Sequence, residues 1–491
     1  MKQKHVIVIG SGVAGMASAI RLAAKGFSVE IFESASQPGG KLNELRQEGF
    51  RFDRGPSLFT LPHLLDEVFS DCGKDPRDYY TYDILPVICR YFYEDGTVLD
   101  AYRDPLQLAS EIETKTGEKA QKVLHFLEKS RKIYELTSNV FLFRSFHQFS
   151  TFVSRDFIKA LLQWYKLDPF TTMHTRNSRI FREKHIVQLF DRYATYNGSD
   201  PYQAPATLNV IPHLEHNIGA FFPEGGMYTI IKSLRKLAEE FQVSIHTGTK
   251  VDEIILSGKK VSGVRMGNGI HPSDIVVADA DIVYTYALIK NHPIPKRFIT
   301  SGRSTSALIF YWGIKGNSPE LDLHNVLFSS DYQKEFEYLF RKKSITDDPT
   351  VYIFISKKRV QGDAPEGSEN WFVMINTPEN IGQDWDVLIS HARKNILVKI
   401  ERMTGRRIEP QIVTEAILDP RKIEEYTSSW HGSLYGAHSN SVFSAFLRHP
   451  NFSRKIQGLY FCGGSVHPGG GIPLCLSSAK LVAELVCRRE R

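Results

Sequence analysis

The residues with the clearest chemical meaning lie near the start of the chain, where glycines and one acid have the spacing of a dinucleotide site. Gly10, Gly12 and Gly15 follow directly after the β-branched run His5–Ile9, and a helical pattern comes after them. Such a turn lets a pyrophosphate approach the backbone and presents the positive end of a helix dipole to it. A second apolar run ends at Glu33, where a carboxylate can accept hydrogen bonds from a ribose. The pattern predicts a dinucleotide-binding unit, against the alternative of a glycine-rich turn that serves only packing.

Three further glycine-rich loops could reach the same ligand. The backbone of Pro38–Lys41 can lie against a ligand, and Lys41 can place a cation near a phosphate. The turn Gly55–Pro56 follows an extended stretch, and Gly463–Pro473 leads from a strand into a C-terminal helix, where consecutive glycines suit an anion or a flat ring. The glycines at 263–269 lack a preceding strand and a following helix, so no second nucleotide site, and hence no NAD(P)H site, is predicted.

The composition is that of an ordinary globular protein with room for two or three domains. The chain has 491 residues, of which 42% are hydrophobic and 24% charged. A net charge of +6 is too small an excess to suggest a nucleic-acid partner. Five cysteines without a CxxC pair or a metal-ligand spacing favour free thiols in a reducing compartment. The nucleotide unit starts too early to leave space for a signal peptide, and no apolar run approaches the ~20 residues of a membrane-spanning helix, so we expect a cytoplasmic protein.

The elements that must position the glycine loops are predicted to come from three separated segments, residues 1–70, 220–285 and 450–491. These segments carry apolar, β-branched runs next to turn signals, the pattern of a nucleotide-binding α/β domain. Residues 71–219 are expected to be mostly helical, and residues 286–449 contain the apolar, β-rich runs of a second sheet. The fold class is therefore α/β, or α+β overall, with two insertions in the nucleotide domain.

One stretch of the helical insertion, residues 141–166, combines dense aromatic and aliphatic residues with a basic excess. Its basic residues Arg144, Arg155, Lys159 and Lys166 outnumber its acids. A helix that lies on a membrane surface needs this combination. A core helix that lines an apolar cavity would show the same apolar face, and the two interpretations are compatible. We expect a protein attached peripherally to the inner face of the cell membrane.

Taken together, these motifs resemble those of the carotenoid desaturases of the bacterial phytoene desaturase type. The match runs from the N-terminal glycine turn through Pro38–Lys41 and the string Phe190–Pro201 to Gly463–Pro473. The wider flavoprotein family also includes amine oxidases and prenyl-protein escort proteins. The resemblance implies a Rossmann-like FAD-binding domain of the glutathione-reductase or amine-oxidase type, an inserted substrate-binding domain, and a helical lid or membrane-contact region.

The resemblance also implies how the loops meet FAD. The Gly-Gly-Lys loop would lie along the cofactor, the Gly-Pro turn would pass near the isoalloxazine ring, and Val251 would meet the adenine end. Together with the nucleotide motif, this predicts the cofactor-binding residues Gly10, Gly12, Val13, Ala14, Gly15, Glu33, Ser34, Gly40, Lys41, Gly55, Pro56, Ser57, Leu58, Val251, Leu434, Gly464, Gly471 and Ile472.

The reaction that the resemblance implies is the dehydrogenation of a long hydrophobic polyene. A hydride leaves an allylic carbon for FAD, a proton leaves the neighbouring carbon, and the electrons then pass to oxygen or to a membrane quinone. Because the forming charge spreads along the polyene, positioning over the flavin supplies much of the catalysis.

No catalytic or metal-binding residue is predicted. Arg192, Glu224 and His467 are possible helpers, but an ion pair, a loop cap and a turn explain them better. His213 and His216 lie close together in the sequence without a third metal ligand at a usual spacing.

The stretch Asp53–Pro62 bears on the substrate, because it is similar to that of desaturases that act late, on hydroxylated carotenoids. It predicts a 1-hydroxycarotenoid 3,4-desaturase acting on a substrate such as 1'-hydroxy-γ-carotene, with a phytoene desaturase as the alternative. Two other classes stay open, a prenyl-binding escort protein without flavin and a flavin amine oxidase.

Overall fold

The computed structural model describes residues 3–141, 144, 147, 151, 153–441, 444 and 447–490, with the side chains of residues 141 and 297 left out. Its strands, in chain order, are β1 (His5–Ile9), β2 (Ser28–Phe32), β3 (Asn43–Gln47), β4 (Phe50–Arg54), β5 (Tyr82–Ile84), β6 (Val87–Phe92), β7 (Val98–Tyr102), β8 (Phe221–Pro223), β9 (Ser244–His246), β10 (Glu253–Ser257), β11 (Lys260–Met266), β12 (Gly269–Pro272), β13 (Ile275–Ala278), β14 (Ser306–Lys315), β15 (His324–Leu327), β16 (Val351–Ile355), β17 (Ser368–Thr377), β18 (Ile412–Leu418) and β19 (Leu459–Phe461).

The α-helices alternate with these strands through the whole chain. They are α1 (Val13–Ala24), α2 (His63–Ser70), α3 (Pro105–Thr116), α4 (Ala120–Phe141), α5 (Arg155–Leu162), α6 (Met173–Ile180), α7 (Lys184–Asp191), α8 (Ile211–His213), α9 (Thr229–Glu240), α10 (Ile282–Ala287), α11 (Lys296–Thr300), α12 (Tyr332–Glu337), α13 (Trp385–Thr404), α14 (Pro420–Thr427) and α15 (Ile472–Glu490).

Five parallel strands form the nucleotide sheet, in the order β19–β13–β1–β2–β9. The central strand β1 pairs Val8 with Ile31 of β2 and with Val277 of β13. Its residues after His5 are all buried, as expected for a parallel strand that is covered on both faces. The helix α1 connects β1 to β2 and packs against α9 and α15. The strands of this sheet all come from the three segments that the sequence assigns to the nucleotide domain.

A second, mixed sheet of seven strands, the substrate sheet, has the order β18–β14–β17–β16–β15–β6–β7. Only the β15–β6 pair is parallel. Alternation along β14 gives the sheet two buried faces: Ala307 and Ile309 belong to the main core of the protein, whereas Phe310 and Trp312 pack in a separate core with Trp385 of α13. One face of the substrate sheet is therefore available to line a cavity.

The prediction of a mostly helical region over residues 71–219 was wrong for residues 82–102, which form β5, β6 and β7. Two of these strands join the substrate sheet. Val87–Phe92 is rich in apolar and β-branched residues, and the following turn closes with a 3.1 Å hydrogen bond from Gly96 N to Tyr93 O. Gly96 has a φ of +85°, so a short antiparallel hairpin is the natural product of this stretch.

The remainder of that region forms a helical wall opposite the substrate sheet. It comprises α4, α6, α7 and the irregular turns over residues 192–218. No helix in the described part of the chain is long and apolar enough to cross a membrane.

The basic aromatic stretch is only partly described, because residues 142–143, 145–146, 148–150 and 152 lie outside the described set. Beyond them, α5 and the following turn expose a group of large apolar side chains, which we call the apolar platform. Its members are 48–84% exposed and are Val153, Ile158, Leu161, Leu162, Trp164, Tyr165 and Phe170.

Candidate functional site: a cavity between two sheets

A cavity of about 840 Å³ joins the nucleotide sheet to the substrate sheet. One end is lined by the turns that follow β1, β2 and β13, and the other by the substrate sheet and the helical wall. Its volume lies within the range of ~300–1,000 Å³ that is usual for ligand sites. Every residue predicted to bind the cofactor lines this cavity except Gly15.

The backbone of the turn after β1 leaves amide groups available to a ligand. Gly10 has a φ of +95°, a conformation that favours glycine, and its N–H donates a 2.8 Å hydrogen bond to the carbonyl of Phe32. Helix α1 begins after Gly12 without a side-chain cap. The first amides of α1 and the positive end of its dipole are therefore suited to an anionic ligand in the cavity.

Gly15 has a different function from the other predicted residues, because it lies where α1 packs against the end of β1. A Cβ added at Gly15 would lie 2.3 Å from the carbonyl oxygen of Gly10 and 2.9 Å from Asp279 Oδ2. The N–H of Gly15 donates to that carboxylate oxygen at 2.8 Å. Desolvation raises the pKa of Asp279 to about 7. Sequence reasoning missed Asp279, although its position directly after the apolar strand β13 was a usable signal.

The Glu33 carboxylate is already saturated by its neighbours. Oε2 accepts from the N–H of Ser11 at 2.9 Å and from its hydroxyl at 2.8 Å. Oε1 accepts from the N–H of Ala35 at 2.8 Å and from the hydroxyl of Ser34 at 3.3 Å. The two backbone bonds fix the carboxylate. Ribose hydroxyls could replace the two serine hydroxyls, which rotate freely.

Lys41 links two distant loops. Its ammonium donates to the carbonyls of Ser433 at 3.1 Å and Leu434 at 2.7 Å. Desolvation lowers its pKa to about 8, against the opposing attraction of Asp281. The sequence predicted a cation for phosphate at this position, and the structure adds that this cation ties the glycine loop to the segment before Tyr435.

The segment before β19 contains a cation that sequence reasoning missed. Arg448 is 5% exposed and donates to the carbonyls of Tyr435 at 2.8 Å and Ala437 at 3.1 Å. Desolvation, with repulsion from Arg303, lowers its pKa to about 10. No carboxylate pairs with it among the described residues. A cavity-lining guanidinium whose partners are carbonyls and the Ser439 hydroxyl suits an electron-rich part of the ligand.

The other end of the cavity is mainly apolar. The substrate sheet and the helical wall contribute the side chains Ala307, Ile309, Val326, Phe372, Met374, Leu208, Val210, Ile211 and Leu214. Such a chamber excludes water and offers no specific hydrogen bonds over most of its surface.

A polar group, which we call the Arg192 cluster, interrupts this apolar chamber and consists of Arg192, Tyr193, Tyr196, Glu215 and His216. The guanidinium lies 5.0 Å and 5.3 Å from the ring centres of Tyr193 and Tyr196, and 3.9 Å from Glu215 Oε2. Both tyrosine hydroxyls donate to the Glu215 carboxylate, that of Tyr193 at 2.7 Å. His216 Nε2 lies 2.8 Å from the Tyr193 hydroxyl. A carboxylate, a phenol and an imidazole thus form a continuous chain of hydrogen bonds.

A second polar chain crosses the face of the substrate sheet. The Tyr352 hydroxyl lies 2.6 Å from Ser57 Oγ and 2.7 Å from His324 Nδ1. Desolvation lowers the pKa of His324 to about 3, so its imidazole is neutral at physiological pH. Because Ser57 belongs to the Gly-Pro turn, this chain connects the predicted flavin end of the cavity to β15 and β16.

The possible helpers named from the sequence have separate positions. Arg192 and His467 line the cavity, whereas Glu224 is exposed outside it and accepts from Thr81 Oγ1 at 2.6 Å. His467 Nε2 lies 2.7 Å from the carbonyl of Arg144, and desolvation lowers its pKa to about 4. Within the described residues, no group of three or more His, Cys, Asp and Glu could hold a metal ion.

Backbone segments from distant parts of the chain meet around the cavity in a way that fits an extended dinucleotide. A Cβ added at Gly40 would lie 3.5 Å from the Cα of Gly12, and one added at Gly464 would lie 3.2 Å from the Cα of Gly470. Side chains at these positions would fill the space between the loops. The amides of α1, the glycine loops and the buried Arg448 together provide for phosphate groups and a flat ring system.

A parallel nucleotide sheet, a glycine turn and an apolar chamber beside the C-terminal glycine loop define an FAD-dependent oxidoreductase. The chain belongs to the family of flavin containing amine oxidoreductases, because the sequence model of that family matches residues 13–487. It is 47% identical over 487 residues to a 1-hydroxycarotenoid 3,4-desaturase of Flavobacterium sp. (strain P99-3), covering 98% of this chain and 99% of that protein.

More distant relatives extend this comparison. The chain is 32% identical over 492 residues to a 4,4'-diaponeurosporene oxygenase of Staphylococcus haemolyticus (strain JCSC1435), covering 99% of this chain and 97% of that protein. An oxidoreductase from Methanosarcina mazei has the same fold, with a TM-score of 0.65 at 15% identity over 98% of this chain and 100% of the other. The predicted flavoprotein class, the α/β fold and the FAD cofactor are confirmed.

Proposed function

We propose that this protein is an FAD-dependent desaturase that introduces the 3,4 double bond into a 1-hydroxylated acyclic carotenoid end, as in 1'-hydroxy-γ-carotene. The observation that carries the proposal is the 47% identity, over nearly the whole of both chains, to a protein named for this reaction. The apolar chamber beside the predicted flavin end suits a polyene, and the Arg192 cluster gives that chamber a polar site next to otherwise apolar walls.

FAD, when bound, accepts a hydride from the substrate. The residues of this chain have three other tasks: to hold the polyene against the flavin, to exclude water, and to receive the proton that leaves the neighbouring carbon. The apolar walls perform the first two, and positioning of this kind supplies a large part of the rate enhancement.

We propose Glu215 as the proton acceptor. Among the cavity-lining carboxylates, Glu33, Asp279 and Asp281 lie at the nucleotide end and Glu424 and Glu425 lie on α14, whereas Glu215 faces the apolar chamber from the helical wall. A proton taken up at Glu215 Oε2 is held by a hydrogen bond to the Tyr193 hydroxyl at 2.7 Å, and His216 Nε2 lies 2.8 Å from that hydroxyl. Burial lowers the pKa of His216, so its imidazole supports the chain as a neutral hydrogen-bonding partner. Such a chain removes the proton from the reacting carbon without opening the chamber to water.

The substrate is tested with two carotenoids given separately to the FAD-loaded protein, phytoene and 1'-hydroxy-γ-carotene. We expect flavin reduction and a red-shifted product spectrum with the hydroxylated substrate only. Conversion of phytoene alone would replace the proposal with phytoene desaturation. A protein that binds carotenoid but no FAD would instead support a non-enzymatic escort, and oxidation of an amine would support an amine oxidase.

The apolar platform is proposed to rest on a membrane surface. Its neighbours Arg155, Lys159 and Lys166 are exposed, while Asp168 is paired with Lys129 at 2.5 Å. Apolar side chains beside exposed cations bind an anionic lipid surface. The platform is also close to the chamber, because the carbonyl of Leu167 accepts a 2.7 Å hydrogen bond from the cavity-lining Thr207. Substrate could thus leave the bilayer next to the chamber wall.

Vesicle flotation with phosphatidylglycerol and with phosphatidylcholine tests the platform. We expect binding to the anionic vesicles, at least about 10-fold weaker in Leu162→Asp. Val387→Asp is the matched control, because Val387 is also exposed, at 62%, but lies on α13 away from the platform. Equal losses in the two variants, or unchanged binding of Leu162→Asp, would contradict the proposal.

We further propose that the protein works at the cytoplasmic face of the membrane and passes its electrons to oxygen or to a membrane quinone. The five unpaired cysteines support a reducing compartment. Stopped-flow oxidation of the reduced protein, by oxygen and separately by a soluble quinone without oxygen, identifies the acceptor from the faster reaction.

A further inference from the structure

Two buried nitrogen atoms in the cavity wall have no hydrogen-bond partner. Among the described residues that line the cavity, Arg192 Nε and His324 Nε2 are the buried side-chain polar atoms in this state. Native proteins rarely leave buried polar atoms unpaired. In the wall of a ligand cavity, such atoms indicate polar groups that the ligand supplies.

The two atoms belong to opposite walls. Arg192 follows α7 in the helical wall, and His324 is the first residue of β15 in the substrate sheet. After desolvation, the positive charge of Arg192 is the next cause that lowers the pKa of His324. Arg192 Nη2 also donates to the Tyr91 hydroxyl at 2.6 Å, and Tyr91 on β6 is paired in register with Val326, two residues along β15 from His324. The two side chains therefore meet at the same part of the substrate sheet.

Their hydrogen-bonding capacities match an alcohol. Arg192 Nε carries a proton and can only donate, while another guanidinium nitrogen, Nη2, is already engaged with the Tyr91 hydroxyl at 2.6 Å. His324 Nδ1 is engaged with Tyr352, so Nε2 can accept or donate according to the tautomer. A hydroxyl group is both acceptor and donor, so one such group can satisfy both nitrogens, whereas a purely hydrocarbon end satisfies neither.

We infer that Arg192 and His324 form the subsite for the hydroxyl group of the substrate's end group, with Arg192 Nε–H donating to the hydroxyl oxygen and His324 Nε2 forming the second hydrogen bond. The inference rests on the proposed function, since it assumes a hydroxylated end. The subsite determines substrate specificity and positions the polyene, and it takes no part in bond breaking.

The position of this subsite agrees with the reaction. In a 1-hydroxy end the oxygen is on C1, and the reacting carbons C3 and C4 follow two and three bonds further along the chain. A hydroxyl site and a proton acceptor must then lie a few Å apart. Arg192 Nη2 lies 3.9 Å from Glu215 Oε2. The hydrogen-bonded chain Ser57–Tyr352–His324 leads from the subsite to the predicted flavin turn.

The test measures carotenoid binding to the FAD-loaded protein by tryptophan quenching. The ligands are 1'-hydroxy-γ-carotene, γ-carotene without the hydroxyl, and the 1'-methyl ether, which accepts but cannot donate a hydrogen bond. For the wild type we expect a preference of about 10- to 100-fold for the alcohol over the hydrocarbon, the usual range for a hydrogen bond to a charged group. The ether should bind more weakly than the alcohol.

Two variants locate the preference. Arg192→Lys retains a positive charge beside Glu215 but loses Nε–H, and His324→Phe keeps a flat ring without nitrogens. Each should reduce the preference to about 3-fold or less while leaving hydrocarbon binding nearly unchanged. Tyr134→Phe, which removes a hydroxyl elsewhere in the cavity wall, serves as the control and should keep the preference.

The outcomes separate the subsite from the proposed function. A protein that converts 1'-hydroxy-γ-carotene but retains its full preference in both variants overturns the subsite alone. A protein that converts only phytoene overturns the proposed function. If both variants fail to fold, the wild-type comparison of alcohol, ether and hydrocarbon decides, and equal affinities for the three would refute the subsite.

Discussion

The two ends of the cavity recognise their ligands by different means. At the nucleotide end, glycines, backbone amides and a helix terminus form the surface, and the polar side chains there already have partners, as the four hydrogen bonds to Glu33 show. At the chamber end, side chains form the surface, and Arg192 and His324 keep unpaired nitrogens. A backbone site tolerates side-chain changes at positions other than its glycines. The chamber can alter its specificity through single substitutions, which is how one flavoprotein fold serves different substrates.

Glu215→Gln should have the largest effect of these variants, because it should slow the chemical step without weakening the binding of FAD. An amide keeps the shape and still accepts from Tyr193, but it cannot take up a proton. We expect flavin reduction by the hydroxylated carotenoid to slow about 100-fold, the lower part of the range for general-base catalysis, with FAD content unchanged. Single-turnover absorbance of the flavin gives the rate.

Glu224→Gln is the control for the loss of a carboxylate, because Glu224 is exposed outside the cavity. It should reduce flavin at the wild-type rate. A Glu215→Gln protein that slows less than about 3-fold would show that the substrate proton leaves by another route.

Gly15→Ala should affect the nucleotide end alone. The added Cβ would lie 2.3 Å from the carbonyl oxygen of Gly10, so the turn must move away from its ligand. Overpacking of this kind costs about 1–3 kcal/mol, and we expect FAD affinity to fall about 30-fold. Fluorescence titration of the apoprotein measures it.

Gly362→Ala provides the comparison, since a Cβ there meets nothing within 4 Å. Its FAD affinity should equal that of the wild type. If Gly15→Ala also binds FAD normally, the close contact between α1 and β1 is not required for the cofactor site.

The same contrast explains what could be predicted from the sequence. The nucleotide end is encoded by short-range spacing, and the loops that meet it carry glycine signals of their own. The chamber end depends on Ser57, Arg192, Glu215, His324 and Tyr352, which are distant in sequence and meet only because β6, β15 and β16 become neighbours. Arg192 was recognised as a candidate, but its partners could not be named. The strands over residues 82–102 were missed for a partly related reason. β6 and β7 form a local hairpin, but β6 is completed by its long-range pairing with β15 and β5 by its long-range pairing with β8.

Asp279→Asn should change the stability of the folded protein by a smaller amount, and the change depends on pH. Desolvation raises the pKa of Asp279 from the ordinary 3.8 to about 7 in the folded protein. Below about pH 4 the carboxyl is neutral in both the folded and the unfolded states, so it does not lower the free energy of unfolding. As the pH rises from about 4 to 7, the unfolded state loses this proton first, so folding becomes less favourable, and above about 7 the full cost is present. The negative charge of a bound pyrophosphate would raise the pKa of Asp279 further and so increase this loss of stability.

Asparagine keeps an acceptor for the Gly15 N–H but cannot ionise, so Asp279→Asn should melt a few degrees above the wild type at pH 8 and at nearly the same temperature at pH 4. Thermal melts of the FAD-loaded protein at both pH values measure this. Asp274→Asn, which alters a carboxylate that accepts from the His5 N–H at the opposite end of β13, shows how much any such replacement changes the melting temperature. A gain at pH 4 as large as at pH 8 would mean that charge at Asp279 is not its source.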